Sequence, residues 1–299
     1  MLKGLAITPP VIGRISIGRV VERNGKRLPE KDDQFTLTSQ VQGREGWILH
    51  PLDEALRKEA GGKLRSIPVR MLFNDPALNL RADYSLFDRT TGRPVCVGNG
   101  ETCRRADKEG IASLTCVGPD ACGFANGACK AYARLNVLVG DGDGDALGSF
   151  VLRTTSFNTI RTLAARLQYF HAVSGGRLAC LPLELKLRGK STAMSHRAAI
   201  FYVDLVIRTG VTLEQAIVEA RQLDQQRRDS GFDQEALDEA ARTGFANGAF
   251  EDLAEDVPAV VEELYPSTGP IDGEGTAARE VTPSLRGKLD DKVARLGPG

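Results

Sequence analysis

The chain has 299 residues, 41% of them hydrophobic and 26% charged, with a formal net charge of zero and six cysteines. That apolar fraction supports a packed core and excludes disorder throughout. The N-terminal run MLKGLAITPPVIGRISIG is interrupted by Pro9 and Pro10, so it reads neither as a signal peptide nor as a membrane span, and a cytoplasmic protein is expected.

Residues 1–209 read mainly as strands. Arg14 to Arg23 alternates with Ile15, Ile17 and Val21 among polar neighbours, and Gln34 to Val41 places Phe35, Leu37 and Ser39 on one face. Asn24-Gly25 between them is a hairpin turn signal. Pro51 to Glu59 reads as a short helix ended by Gly61 and Gly62. Further strands are expected over Ile67–Phe73, Leu80–Phe87, Ala131–Val139 and Gly148–Thr154. Asp141, Asp143 and Asp145 resemble the start of a calcium loop, but Ala146 and Leu152 stand where that loop needs Gly and Glu, so a turn explains them better.

Ser156 caps an expected helix through His171, with Ile160, Leu163, Ala164, Leu167 and Phe170 on one stripe. Leu178–Leu187 and Ala199–Ile207 then form an antiparallel hairpin, joined by the basic loop Arg188 to Arg197. After Gly210 the character changes. Thr212 to Asp229 has a capping box of Thr212 with Gln215, and two shorter helices follow over Gln234–Arg242 and Ala259–Tyr265. From Pro266 onward Pro, Gly, Ser, Thr and charge dominate, the composition of a flexible tail.

The expected class is α+β: an antiparallel β-rich core over 1–209 with an inserted zinc-binding loop at 96–129, an acidic helical region over 210–265, and a flexible tail over 266–299. Charge follows this division. Residues 151–200 carry eight Arg or Lys against Glu184 alone, while residues 211–265 carry fourteen acids against Arg221, Arg227, Arg228 and Arg242. The two segments either present separate faces to partners or pair with each other inside one fold.

The zinc expectation rests on cysteine density. Cys96, Cys103, Cys116, Cys122 and Cys129 fall in one glycine-rich stretch, and Cys180 lies apart. Tetrahedral zinc takes four thiolate or imidazole ligands, and glycines let a loop turn each sulfur inward. No CxxC pair is present, so density and not spacing carries the argument. Cys96, Cys116, Cys122 and Cys129 are the expected ligands: three share a turn-rich loop, and Cys96 ends an apolar run that anchors it. Cys103 is the alternative ligand. Disulfides fit poorly with an odd number of clustered cysteines and no export signal. A catalytic zinc is disfavoured, because such sites keep an open position and use His or carboxylate ligands, and no His lies in the block.

Local catalytic motifs are missing: no GxSxG, HExxH or GxxxxGK[ST] occurs. His50, His171 and His196 are scattered; His50 belongs to a turn, and Trp47 is expected in the core.

Four stretches in order, PVCVGNGETCRR, TCVGPDACGFANGACKAYARLNVLV, FVLRTTSFNTIRTL, and LPLELKLRGKST with IFYVDLVIR, resemble the recombination directionality factors that phages encode beside large serine integrases. The resemblance spans Arg70 to Arg208. It implies a non-catalytic accessory protein, in a bacterial host, that binds a serine integrase on its DNA sites and redirects recombination toward excision. It places Cys96, Cys116, Cys122 and Cys129 as ligands and Cys103 as an extra. It supplies no interface residues; from charge alone, Glu214, Glu219 and Asp224 are candidates for contact with a basic partner. Two other classes compete. A single-stranded DNA-binding or annealing accessory would use Lys186, Arg188, Lys190 and Arg197, with Trp47 for stacking. A metal-dependent hydrolase is the third.

Overall fold

A computed structural model of the chain describes residues 10–23, 26–43, 46–88, 91, 93–140, 148–191 and 199–245. The expected Asn24-Gly25 turn, the Asp141 to Asp145 run, His196, Arg197, the helix over Ala259–Tyr265 and the tail lie outside the described residues. The chain divides into two compact units, 1–266 and 267–299, and every described residue belongs to the first.

In chain order the elements are β1 (Val11–Arg23), β2 (Lys26–Gly43), β3 (Gly46–Leu49), α1 (Pro51–Glu59), β4 (Ser66–Arg70), α2 (Pro76–Asn79), β5 (Leu80–Phe87), β6 (Pro94–Gly98), β7 (Thr102–Ala106), β8 (Ile111–Thr115) and β9 (Lys130–Val139). β10 (Ser149–Thr154), α3 (Phe157–Val173), β11 (Leu183–Ser191), β12 (Ala199–Ile207), α4 (Leu213–Asp229) and α5 (Gln234–Phe245) complete them. The architecture is a β-rich mixed sheet with helices, as the α+β reading expects.

Twelve strands join in one hydrogen-bonded network, with the main order β3-β2-β1-β10-β9-β5-β6-β7-β8. The sheet forks at β9. Its first half pairs with β5, while Leu138 and Val139 pair with Arg70 and Val69 of β4, which leads on to β11 and β12. One seam corrects the antiparallel expectation: β1 and β10 run parallel, with Val11 opposite Ser149 and Ile15 opposite Leu152. Alternation in sequence reports which face a strand buries and not the direction of its neighbour, and the long segment between these strands satisfies the crossover that a parallel pair needs.

The core lies between the two arms of the fork. Phe35, Leu37, Leu135, Val137, Phe150 and Leu152 meet Ile67, Val69, Leu183, Leu185, Val203 and Leu205. Ile160, Leu163, Leu167 and Phe170 of α3 fill the same core, and the Ser156 hydroxyl caps that helix by accepting from the Thr159 amide at 3.4 Å. Ala216 and Ala220 of α4 are buried there too, so the acidic helix shares the core of the sheet. α5 docks separately: Asp238 accepts from the amides of Asn74 and Asp75 at 3.0 and 3.1 Å, beside an apolar cluster of Leu72, Phe73, Leu78, Leu138 and Ala241.

Several strand bounds differ from expectation, β2 the most, since it starts at Lys26 and not at Gln34; two others have a local cause. β4 stops at Arg70 because the Leu72 and Phe73 amides turn to the Asn79 side chain, each at 3.1 Å. β11 starts at Leu183 because Leu178–Cys180 is a 3-10 turn and Pro182 follows it. Among the described residues, no helix is long and apolar enough to cross a membrane.

Candidate functional site

The cysteine segment is more than a loop. β6, β7 and β8 form an antiparallel meander that extends the sheet beyond β5, and residues 116–129 fold back over one face of it. Two side-chain turns set its corners. The Asn99 carboxamide accepts from the amides of Glu101 and Thr102 at 2.9 and 2.8 Å, and Asp107 accepts from Glu109 and Gly110 at 2.8 and 2.9 Å.

Register then places the thiols. Gly98 stands opposite Cys103 and Cys96 opposite Arg105, so these four share a face with Tyr84 and Leu86 of β5. Cys116 follows β8 directly, its amide held by the Glu101 carbonyl at 2.8 Å, and Cys129 directly precedes β9. Cys122 comes from the covering loop. All five line one cavity of about 20 Å³ together with Phe124 and Ala125, and none is in a disulfide. Gly98 is required for the close approach: a Cβ there would lie 2.6 Å from the Cys103 Cβ and 3.0 Å from the Cys116 Sγ.

The electrostatics couple the group. Burial pushes the Cys103 thiol up to about 11, reinforced by its hydrogen bond with Cys96 and the nearby Cys96 and Cys116 sulfurs and opposed by Arg105. Cys129 is also pushed up to about 11, by burial first and then by Cys96, Cys122, Cys116 and Cys103. Burial works against the charge of Arg105, yet its bond to Cys96 and the sulfurs of Cys103 and Cys122 outweigh that and raise its pKa. Its guanidinium lies 3.7 Å over the Phe124 ring.

Whether this set fits a metal has two answers. Its chemistry fits: soft donors dominate the cavity, whose volume is room for about one ion. The placement is looser. Among the described residues, no group of three or more His, Cys, Asp or Glu side chains is arranged to hold a metal ion, so the thiols share a cavity without forming a coordination sphere.

The other expected site residues are scattered, and most of those described are engaged internally. Lys186 pairs with Glu184 at 3.3 Å, Arg188 with Asp204 at 3.2 Å, and Lys190 donates to Asn158 at 2.8 Å. Arg197 lies outside the described residues. Glu214 is exposed in the first turn of α4, and Glu219 accepts from Arg70 at 2.7 Å. Asp224 is buried and holds Arg177 at 2.9 Å and Arg228 at 3.1 Å. The Arg177–Asp224 pair joins the basic segment to the acidic one inside a single fold. Trp47, on β3, is half-buried and stacks beneath Arg14 at 3.7 Å. His50 caps α1, its ring accepting from the Leu52 amide at 3.2 Å, and His171 bonds the Asn74 carbonyl at 2.8 Å.

Sequence reasoning missed Arg105, Phe124 and the β7–β8 hairpin. The signals were Asn99-Gly100 and the Asp107 to Gly110 turn, obscured because TCRRA and IASLT carry little apolar alternation.

Fold and site together define an α+β protein whose branched sheet carries a thiol-lined lobe. Residues 12–208 match the Gp3-like family, described as recombination directionality factor-like, and the chain belongs to that family. The match begins at the second residue of β1 and ends just past β12, so it takes in the described sheet save Val11 and extends the resemblance read over Arg70–Arg208 toward the N-terminus. No curated protein and no solved structure matches the chain.

Proposed function

We propose that the chain is an accessory protein that binds a serine integrase on its DNA sites and shifts recombination from integration toward excision. Family membership over residues 12–208 carries the reading. The task needs no bond chemistry. A protein with higher affinity for the excision-competent arrangement of integrase subunits moves the population toward it, by at most that difference in affinity.

Zinc belongs to the same proposal, held by Cys96, Cys116, Cys122 and Cys129. Five thiols lining one cavity support it. Without a cation, burial favours the neutral thiol at Cys103 and Cys129; a divalent ion at the cluster would invert that preference and draw thiolates. Zinc would supply a crosslink between β6 and the covering loop, making the lobe a stiff platform for the partner.

The test is recombination in vitro with the serine integrase of the same genetic element. Adding the chain should inhibit joining of the integration substrates, activate joining of the excision substrates, and further retard integrase–DNA complexes in a gel. Unchanged integrase behaviour would end the partner assignment. Elemental analysis should find about one zinc per chain; a preparation free of metal that melts normally would end the zinc assignment alone.

A further inference from the structure

The thiol lobe ends in an open strand edge. β8 is the last strand of the main sheet path and, among the described residues, pairs only with β7. The Cys116 amide donates to the Glu101 carbonyl and the Asp107 amide to the Gly110 carbonyl, each at 2.8 Å. Bonded and non-bonded pairs alternate along an antiparallel ladder, so Ala112 and Leu114 turn their backbone groups to β7 while Ile111 and Ser113 turn theirs outward. Edge strands are ordinarily blunted by charge, proline or a bulge. β8 has none of these: its register with β7 is unbroken from Ile111 to Thr115, and residues 111–118 contain no charged side chain and no proline. The edge is also apolar in the open. Ile111 is 50% exposed and Leu114 42%, while Val117 and Phe124, at 59% and 52%, line the adjoining thiol cavity.

We propose that β8 pairs with β8 of a second copy of this chain, antiparallel about a two-fold axis at Ser113, so that two sheets become one. The strand is complementary to itself. Centred on Ser113, the pairing uses all five residues and sets Ser113 against Ser113, Ile111 against Thr115 and Ala112 against Leu114. Each larger side chain meets a smaller one, and no like charges face each other. The outward amide and carbonyl of Ser113 bond their counterparts in the second copy, which closes the ladder that β7 leaves open. A strand from an unrelated protein would place no such demand on the symmetry of this pattern, and closed two-fold dimers are the commonest assembly of a single chain. Residues opposite each other share a face of the joined sheet, so both sets of cysteines lie on one side, with the two Leu114 side chains diagonally adjacent. The inference does not rest on the integrase assignment.

The experiment is sedimentation velocity of the full chain over a concentration series. The parent should sediment as two chains. Ser113→Glu puts two carboxylates face to face on the axis and should weaken the dimer by about tenfold or more, as should Ser113→Lys; Ser113 is exposed, so both variants should keep the parent's circular dichroism. An equimolar mixture of the two should regain the dimer, because opposite charges then meet across the axis. Ile48→Lys, on the exposed edge strand β3, should leave the dimer unchanged. A parent that stays monomeric throughout, dimers insensitive to both Ser113 variants, or a mixture that remains monomeric would overturn the proposal. Open polymers abolished by Ile48→Lys would overturn it in favour of β8 pairing with β3. A monomeric parent whose retardation of integrase–DNA complexes is lost in Ser113→Glu would overturn it in favour of a strand of the integrase.

Discussion

The Asp53 carboxylate accepts a hydrogen bond from the Leu37 amide at 2.8 Å and an ion pair from Arg57 at 2.6 Å, so one buried acid fastens α1 to β2. Arg57 in turn donates to the Phe35 carbonyl at 2.6 Å. Asp53→Ala leaves a buried amide and a guanidinium without their shared acceptor, at a cost of about 2–4 kcal/mol. Urea unfolding measures it, and a change below about 0.5 kcal/mol would show that the clasp is not structural.

Gly98→Ala tests the cavity by crowding it. The added methyl meets the Thr102 carbonyl at 2.8 Å as well as the side chains of Cys103 and Cys116, so strand and sulfurs must both move. A loss of about 1–3 kcal/mol in stability is expected, together with lower zinc content by elemental analysis. Retention of both would mean that the β6–β7 approach is slack.

Cysteine substitutions separate ligand from neighbour. Cys103 is the deepest of the five thiols, and its sulfur reaches the Thr115 carbonyl at 3.8 Å. Cys122→Ser should lower zinc content, whereas Cys103→Ser should keep about one zinc per chain. The reverse pattern reassigns the ligands, with Cys103 taking the place of Cys122.

Asp83 sets a pH dependence. Burial raises its pKa above 3.8 and outweighs the lowering by Arg81 and Arg134. A carboxyl whose pKa is raised on folding binds its proton more tightly in the folded state, so its contribution is most favourable below 3.8 and declines as pH rises through the raised value. Asp83→Asn removes that decline. Melting temperatures measured from acid to neutral pH should show the variant gaining on the parent chain across this window; parallel curves would refute the assignment.

Local chemistry made part of this fold legible. α1 and β12 occupy the expected residues because Pro51, the Gly61-Gly62 pair and the alternation of Ala199 to Ile207 mark them unambiguously. The Thr212 capping box forms as its spacing requires, with bonds of 3.3 and 2.9 Å. Tertiary placement was not legible. Asp224 reads as a surface acid by composition, yet Ala216, Ala220 and Asp224 are spaced by four and face inward together, where Arg177 meets the carboxylate. The cysteines were visible as a cluster, but their shared cavity depends on the β6–β7 register that places Gly98 against Cys103. That pairing has no signature in residue counts.

The parallel seam between β1 and β10 bears on how the chain is made. A ribosome releases Val11 long before its partner Ser149 exists, and until then the edge of the first hairpin has no neighbour. Ile15 and Phe35, on that hairpin, stay without their final surroundings for the same interval. Synthesis therefore has to reach β10 before the nascent sheet can close, and a chain truncated ahead of it would carry an open strand edge ready for aggregation.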